Sequence, residues 1–211
     1  YVDYVLWGSD GKPLAVVEAK KTTVDSTNGK HQAKLYADCL EEMTGQRPII
    51  YYSNGYETNI WDDQMYPPRR TSGFHTHDEL QRLVLRRSNR ADISNLKPNP
   101  EIVDRPYHEE AAKRVFENFN SRSRESLLVM ATGTGKTRLS IAIVEGLMKN
   151  QWATKVLFLA DRTALVKQAH DAFTKHYPDA STTILKSNKD PQARIVFSTY
   201  PAILNAVDEV K

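Results

Sequence analysis

Apolar and polar positions along the chain fall into blocks whose period changes from two to 3.6 and back. Val2 to Leu6 and Leu14 to Glu18 are short apolar runs separated by Gly8-Ser9-Asp10-Gly11-Lys12-Pro13, so they predict a hairpin. From Gly29 to Thr44 the pattern is helical. At about 100° per residue, Ala33, Tyr36, Ala37, Leu40 and Met43 share one side. Lys30, His31, Lys34, Asp38, Glu41 and Glu42 share the other, and Gly45 closes the helix. Ile49 to Ser53 and Asn59 to Trp61 read as strands, Asp62 to Thr76 as a loop, and His77 to Arg87 as a helix. Residues 88–106 lose apolar periodicity and hold Pro98, Pro100 and Pro106, which predicts a linker, taken as 91–104. Beyond it helix and strand alternate. The expected order is helix Tyr107 to Phe119, strand Leu127 to Met130, helix Lys136 to Lys149, strand Val156 to Ala160, helix Ala164 to His176 and strand Ile195 to Ser198. Such alternation predicts a parallel sheet with helices on both faces. The fold class is therefore α/β, in two domains spanning 1–90 and 105–211.

Composition narrows the functional classes only modestly. No apolar run is long enough to span a bilayer. The single cysteine, Cys39, cannot form an internal disulfide, which suits a reducing cytoplasm. Lys and Arg balance Asp and Glu at 13 each in residues 1–100 and exceed them by 16 to 13 in residues 101–211. Nucleic-acid binding would thus rest on local clusters rather than a global positive field. The chain opens at Tyr1 inside an expected strand, so its natural start is expected upstream.

The most specific motif is Ala131-Thr132-Gly133-Thr134-Gly135-Lys136-Thr137, set between an expected strand and an expected helix. Glycines let backbone N–H groups approach phosphate oxygens, and the helix start adds favourable dipole. Lys136 supplies a point charge for the β- and γ-phosphates, and Thr137 a hydroxyl for Mg²⁺, so the expected ligand is ATP with Mg²⁺. The general pattern wants glycine where this chain has Met130, and the form present resembles motif I of superfamily 2 helicases. A ligand-free glycine turn is the alternative. Downstream, Val156 to Arg162 with Leu165 and Gln168 resembles motif Ia, and Phe197-Ser198-Thr199-Tyr200 resembles motif Ib. By that resemblance Arg162, Ser198 and Thr199 would touch the nucleic-acid backbone. Arg105-Pro106-Tyr107-His108 resembles the adenine-cradling Q motif, with His108 in place of glutamine. A helix N-terminus with solvated charges fits that stretch as well. Asp208-Glu209 superficially resembles an acidic motif II pair without a convincing strand before it.

A second constellation is Asp3, Glu18 and Lys20, spaced D-x14-E-x-K. Glu18 and Lys20 are two apart on a strand and project from one face, separated by about 6.6–7 Å along the chain. The expected hairpin brings Asp3 beside them. Two carboxylates and an ammonium suit phosphodiester hydrolysis with Mg²⁺ held by Asp3 and Glu18. A solvated ion pair is the bland alternative, but Ala15-Val16-Val17 ahead of Glu18 reads as a central strand. Gln32 falls on or beside the apolar helix side with Tyr36 one turn on. They could be a buried hydrogen bond or part of the site.

Asp3, Glu18-Ala19-Lys20 and Gln32-Ala33-Lys34-Leu35-Tyr36 resemble the PD-(D/E)xK nuclease core with the RecB-type Q-x-x-x-Y extension. Val2 stands where a proline often precedes the first acid. Followed by motif I, the arrangement resembles the restriction, or motor, subunit of type I restriction–modification enzymes along nearly the whole chain. The resemblance implies ATP-driven translocation of double-stranded DNA, Mg²⁺-dependent cleavage, and modification (methyltransferase) and specificity subunits as partners. Gln32 and Tyr36 would then help position DNA. Residues 1–211 alone are expected not to turn over ATP. A stand-alone helicase–nuclease of DNA repair and a non-catalytic DNA-binding adaptor are the alternatives. Arg82, Arg86, Arg87 and Arg90 form either a phosphate-tracking strip or a solvated helix face, and His75 with His77 lacks a third metal ligand.

Overall fold

A computed structural model describes residues 2–23, 25–185 and 193–208. The chain divides into two compact units, Tyr1–Arg90 with Arg122–Arg124, and Ala91–Ser121 with Glu125–Lys211.

The first unit is a five-stranded sheet between two helices. β1 (Tyr4–Trp7) and β2 (Pro13–Ala19) form the hairpin, with Tyr4 opposite Val17. A 3-10 turn at Ser26–Gly29 leads into α1 (Lys30–Thr44), which Gly45 ends in a left-handed conformation. β3 (Ile49–Ser53), β4 (Thr58–Trp61), β5 (Arg69–Thr71) and α2 (His77–Asn89) follow. The strand order is β1-β2-β3-β4-β5, with β2 and β3 parallel and the other pairs antiparallel. β2 is apolar on both faces because both are covered. Val16 packs with Ala33, Ala37, Ile50 and Tyr52 on the α1 side. Ala15 and Val17 pack with Ile49, Tyr51 and Leu80 on the α2 side. Each large side chain so buried contributes about 1.5–3 kcal/mol. β5 falls in the expected loop. It is an edge strand whose Arg69 and Arg70 are exposed, so no apolar alternation announces it.

The second unit holds α3 (Pro106–Asn120), α4 (Lys136–Lys149), β6 (Val156–Ala160), α5 (Thr163–His176), β7 (Thr182–Ile184), β8 (Ile195–Thr199) and α6 (Tyr200–Asp208). The described strands are all parallel, in the order β6-β8-β7. Phe158, Phe173 and Phe197 form an aromatic centre with ring centroids 5.1–5.7 Å apart. β7 and α6 were not anticipated: three residues are too few to show a period, and α6 begins directly at the end of β8.

Two segments differ from what their sequence predicts. Residues 127–130 carry no strand, and Leu127 and Val129 are 89% and 88% exposed. A strand exists only in a ladder, and none of the described strands pairs with this segment. Residues 91–104, expected to link the domains, belong to the second unit. Ile93 and Ile102 are fully buried in its two cores. Asn99 Nδ2 donates to buried Glu145 at 3.0 Å, and Trp152 Nε1 donates to the Ala91 carbonyl at 2.8 Å. Anchor residues spaced nine apart in a loop show no helical or strand period, which is why the segment reads as a linker. Glu209 and the side chain of Asp208 lie outside the described residues.

Candidate functional site

In the first unit the end of β2 and the start of α1 assemble four of the predicted residues, Glu18, Lys20, Gln32 and Tyr36, into a connected group, with Asp3 bonded to the β2 backbone nearby. β2 runs from the core outward, so Glu18 is 2% exposed while Lys20, two residues on, reaches solvent. Lys20 Nζ donates to Glu18 Oε1 at 2.6 Å and to Gln32 Oε1 at 2.7 Å. Gln32 Nε2 donates to Tyr36 Oη at 2.8 Å. Because that donation uses the amide nitrogen, the amide oxygen is turned toward the ammonium. Asp3, across the hairpin, accepts from the Ala19 N–H through Oδ2 at 2.8 Å. The hydrogen bond that Lys20 donates to Glu18, and the negative charges of Glu18 and Asp3, raise the pKa of Lys20 despite partial desolvation, so it stays an ammonium.

One atom of this group is unsatisfied. Glu18 Oε2 is buried with no hydrogen-bond partner. A bare carboxylate oxygen away from water is costly, and a cation would remove that cost. Glu18 with Asp3 matches Mg²⁺, which takes one or two carboxylates and keeps several waters. Among the described residues there is no group of three or more acidic, His or Cys ligands, so the donor set does not suggest a fully protein-caged ion. His75 is engaged elsewhere, its Nδ1 lying 2.6 Å from the Tyr51 hydroxyl. Gly29 lets α1 approach: a Cβ there would lie 3.1 Å from Glu18 Cγ and 3.5 Å from Lys20 Cγ.

The second unit presents the glycine motif as a turn opening α4. Gly133 and Gly135 have φ of 77° and 87°, a region costly for other residues. No side chain caps the helix start at Gly135. Lys136 Nζ folds back onto the carbonyls of Met130 and Ala131, at 3.2 and 2.7 Å, and Thr134 Oγ1 donates to Ala131 O at 2.7 Å. Thr132 is exposed, and Thr137 is half-buried at the first turn of α4. Of the expected DNA-contacting residues, Arg162 is 80% exposed at its side chain, beside Asp161. Thr199 is half-buried at the end of β8. Ser198 is 1% exposed, like its neighbour Phe197 on the opposite face of β8, and its hydroxyl donates to the Thr199 carbonyl, so it does not reach the surface in this structure.

His108 also departs from expectation. It is fully buried, with Nε2 2.7 Å from the Thr134 carbonyl and Nδ1 3.4 Å from Asp104 Oδ1. Neither ring nitrogen faces open space where an adenine edge could lie. Tyr107, which sequence reasoning did not single out, donates from its hydroxyl to the same carbonyl at 3.0 Å. Its place directly before His108 at the start of α3 was the available signal.

Fold and motif order define a mixed α/β chain with parallel strand pairing, whose second unit opens a helix with a glycine–lysine turn. Residues 101–211 match the family described as type III restriction enzyme, res subunit, and the chain belongs to that family. It is 28% identical to the type I restriction enzyme EcoAI endonuclease subunit of Escherichia coli, over 99% of this chain and 27% of that protein. It is likewise 28% identical to the EcoKI endonuclease subunit of Escherichia coli K12, over 82% of this chain and 19% of that one. The chain thus spans about a quarter or less of these curated relatives. A solved HsdR-subunit fragment of a type I restriction enzyme from Vibrio vulnificus is 27% identical, covering 99% of this chain and 39% of that one, with a TM-score of 0.41. Among the described residues no helix is long and apolar enough to cross a membrane.

Proposed function

We propose that this chain is part of the restriction subunit of a type I restriction–modification enzyme. In this reading residues 1–90 are a PD-(D/E)xK nuclease with a Q-x-x-x-Y extension, and the second unit is the first part of a RecA-like ATPase that moves double-stranded DNA. The modification and specificity subunits supply site choice. The observation that carries the nuclease half is the connected group Glu18–Lys20–Gln32–Tyr36 with its orphaned Glu18 oxygen, next to Ala19, whose N–H donates to Asp3. Glu18 and Asp3 would hold Mg²⁺, which polarises a phosphate and acidifies bound water. Lys20, kept charged by Glu18, faces the negative charge that develops on the phosphate. Gln32 fixes that ammonium, and Tyr36 fixes the Gln32 amide. In the second unit Gly133 to Thr137 would receive the triphosphate. Lys136 would exchange its loop carbonyls for phosphate oxygens, and Thr137 would face the accompanying Mg²⁺.

The two sites make separable predictions. In the natural full-length protein, Glu18→Gln should abolish DNA cleavage and leave DNA-stimulated ATP hydrolysis at the wild-type rate. Lys136→Ala should abolish ATP hydrolysis together with any cleavage that requires translocation. Wild-type cleavage by Glu18→Gln would remove the nuclease assignment. Unchanged ATPase in Lys136→Ala would remove the ATPase assignment.

A further inference from the structure

We infer that His108, together with Tyr107, is a positioning residue that sets the shape of the phosphate loop and plays no part in reading the nucleotide base. This rests on the reading of Gly133 to Thr137 as a triphosphate site. The Thr134 carbonyl accepts from Tyr107 Oη at 3.0 Å and lies 2.7 Å from His108 Nε2. A backbone carbonyl only accepts, so Nε2 carries the proton. Both lone pairs of the carbonyl are then occupied, and the orientation of the Thr134–Gly135 peptide is fixed. In a trans peptide the C=O and N–H point in opposite directions. No cis bond occurs among the described residues. Holding the carbonyl against α3 therefore directs the Gly135 N–H away from α3. That N–H belongs to the residue immediately before Lys136.

Packing enforces the same geometry. Gly135 has φ of 87°, and a Cβ there would lie 2.7 Å from His108 Cε1. The imidazole thus fills the space directly under the loop. On its other side Nδ1 is buried without a hydrogen bond, 3.4 Å from the carboxylate of Asp104, which pairs with Arg138 of α4. Tyr107 is held by Arg105, whose Nη1 donates to Oη at 2.5 Å. With no exposed surface and Nε2 committed to the loop, His108 has no free edge for a base.

The test measures binding of ATP, GTP and inorganic tripolyphosphate, each with Mg²⁺, to the natural full-length protein by calorimetry. His108→Ala should weaken all three by one common factor, roughly three- to tenfold for a lost hydrogen bond, with the ATP-to-GTP ratio unchanged. His108→Gln, whose amide can donate to the same carbonyl, should recover most of that loss. Tyr107→Phe, which keeps the ring, should give a smaller loss of the same uniform kind. A changed ATP-to-GTP ratio with intact tripolyphosphate binding in His108→Ala would restore a base-reading role and overturn the inference alone. Equal losses in the Ala and Gln variants would also overturn it, since the N–H donor would then be irrelevant. Failure of the wild-type protein to bind any of the three would remove the triphosphate site itself, and the inference with it.

Discussion

At the scale of single residues, Gly29 separates chemistry from stability in the first unit. Its backbone is ordinary right-handed helix, φ −80° and ψ −15°, so alanine is sterically acceptable to the main chain. The obstacle is the Glu18 side chain, whose Cγ would lie 3.1 Å from an alanine Cβ at this position, with Lys20 Cγ and Tyr52 Cβ at 3.5 Å. Gly29→Ala should therefore leave unfolding free energy within about 1 kcal/mol of wild type, because the reduced entropy of the unfolded chain offsets mild crowding. Displacing Glu18 and Lys20 by even part of an ångström should lower cleavage by about tenfold or more, given how steeply rates depend on reacting-group placement. Cleavage assays and urea titration of the same variant check both halves, and full cleavage activity would show that the Glu18–Lys20 geometry is not rate-determining. Glu18, Lys20, Gln32 and Tyr36 could be brought together from sequence because strand period two and helix period 3.6 each put a pair on one face. His108 could not be placed that way. Whether a residue near a loop faces a ligand or the core depends on packing that no spacing records.

At the scale of elements, Arg47 ties the first unit together. It sits just before β3, 7% exposed, and pairs with Asp38 and Glu41 of α1 and with Asp63 after β4. Burial works against its charge, but the two aspartates outweigh that and raise its pKa, so it remains a guanidinium. The Asp63 side chain is only 8% exposed, whereas Asp38 is 48% exposed. Arg47→Met should thus cost about 3–5 kcal/mol by leaving a buried carboxylate uncompensated. Asp38→Asn should cost no more than about 1 kcal/mol, as exposed pairs do. Chemical denaturation monitored by circular dichroism would read both, and equal costs would mean that the Asp63 pair is not the anchor. Elements whose stability comes from an amphipathic face, such as α1 and α4, were legible in the sequence. Residues 127–130 were not: their apolar run is strand-like, but pairing depends on a partner outside any local window, and β5 fails the converse way, pairing while showing no apolar pattern.

At the scale of the whole chain, the question is where the second unit begins. A proline-bearing stretch without periodicity suggests a solvated connector over 91–104, and the buried positions of Ile93 and Ile102 argue otherwise. Ile93 packs with Ala112, Phe116 and Leu139, joining α3 to α4, the helix that Lys136 opens. Ile102 packs with Ile141, Phe173 and Phe197, reaching the parallel sheet. Asn99 adds its hydrogen bond to Glu145 in the middle of α4. The segment is therefore a strap across the second unit, and shortening or exchanging it should loosen the packing of α3 on α4. Ile93→Ala and Ile102→Ala should each lower the stability of the second unit by about 2–5 kcal/mol, the cost of a large-to-small change in a packed core. A solvated connector would give changes within about 0.5 kcal/mol. Hydrogen exchange resolves the outcome by region. Faster exchange in α3 and α4, with α1 and β2 unaffected, would place 91–104 in the second unit's fold. Unchanged protection throughout would return the segment to the role of a linker.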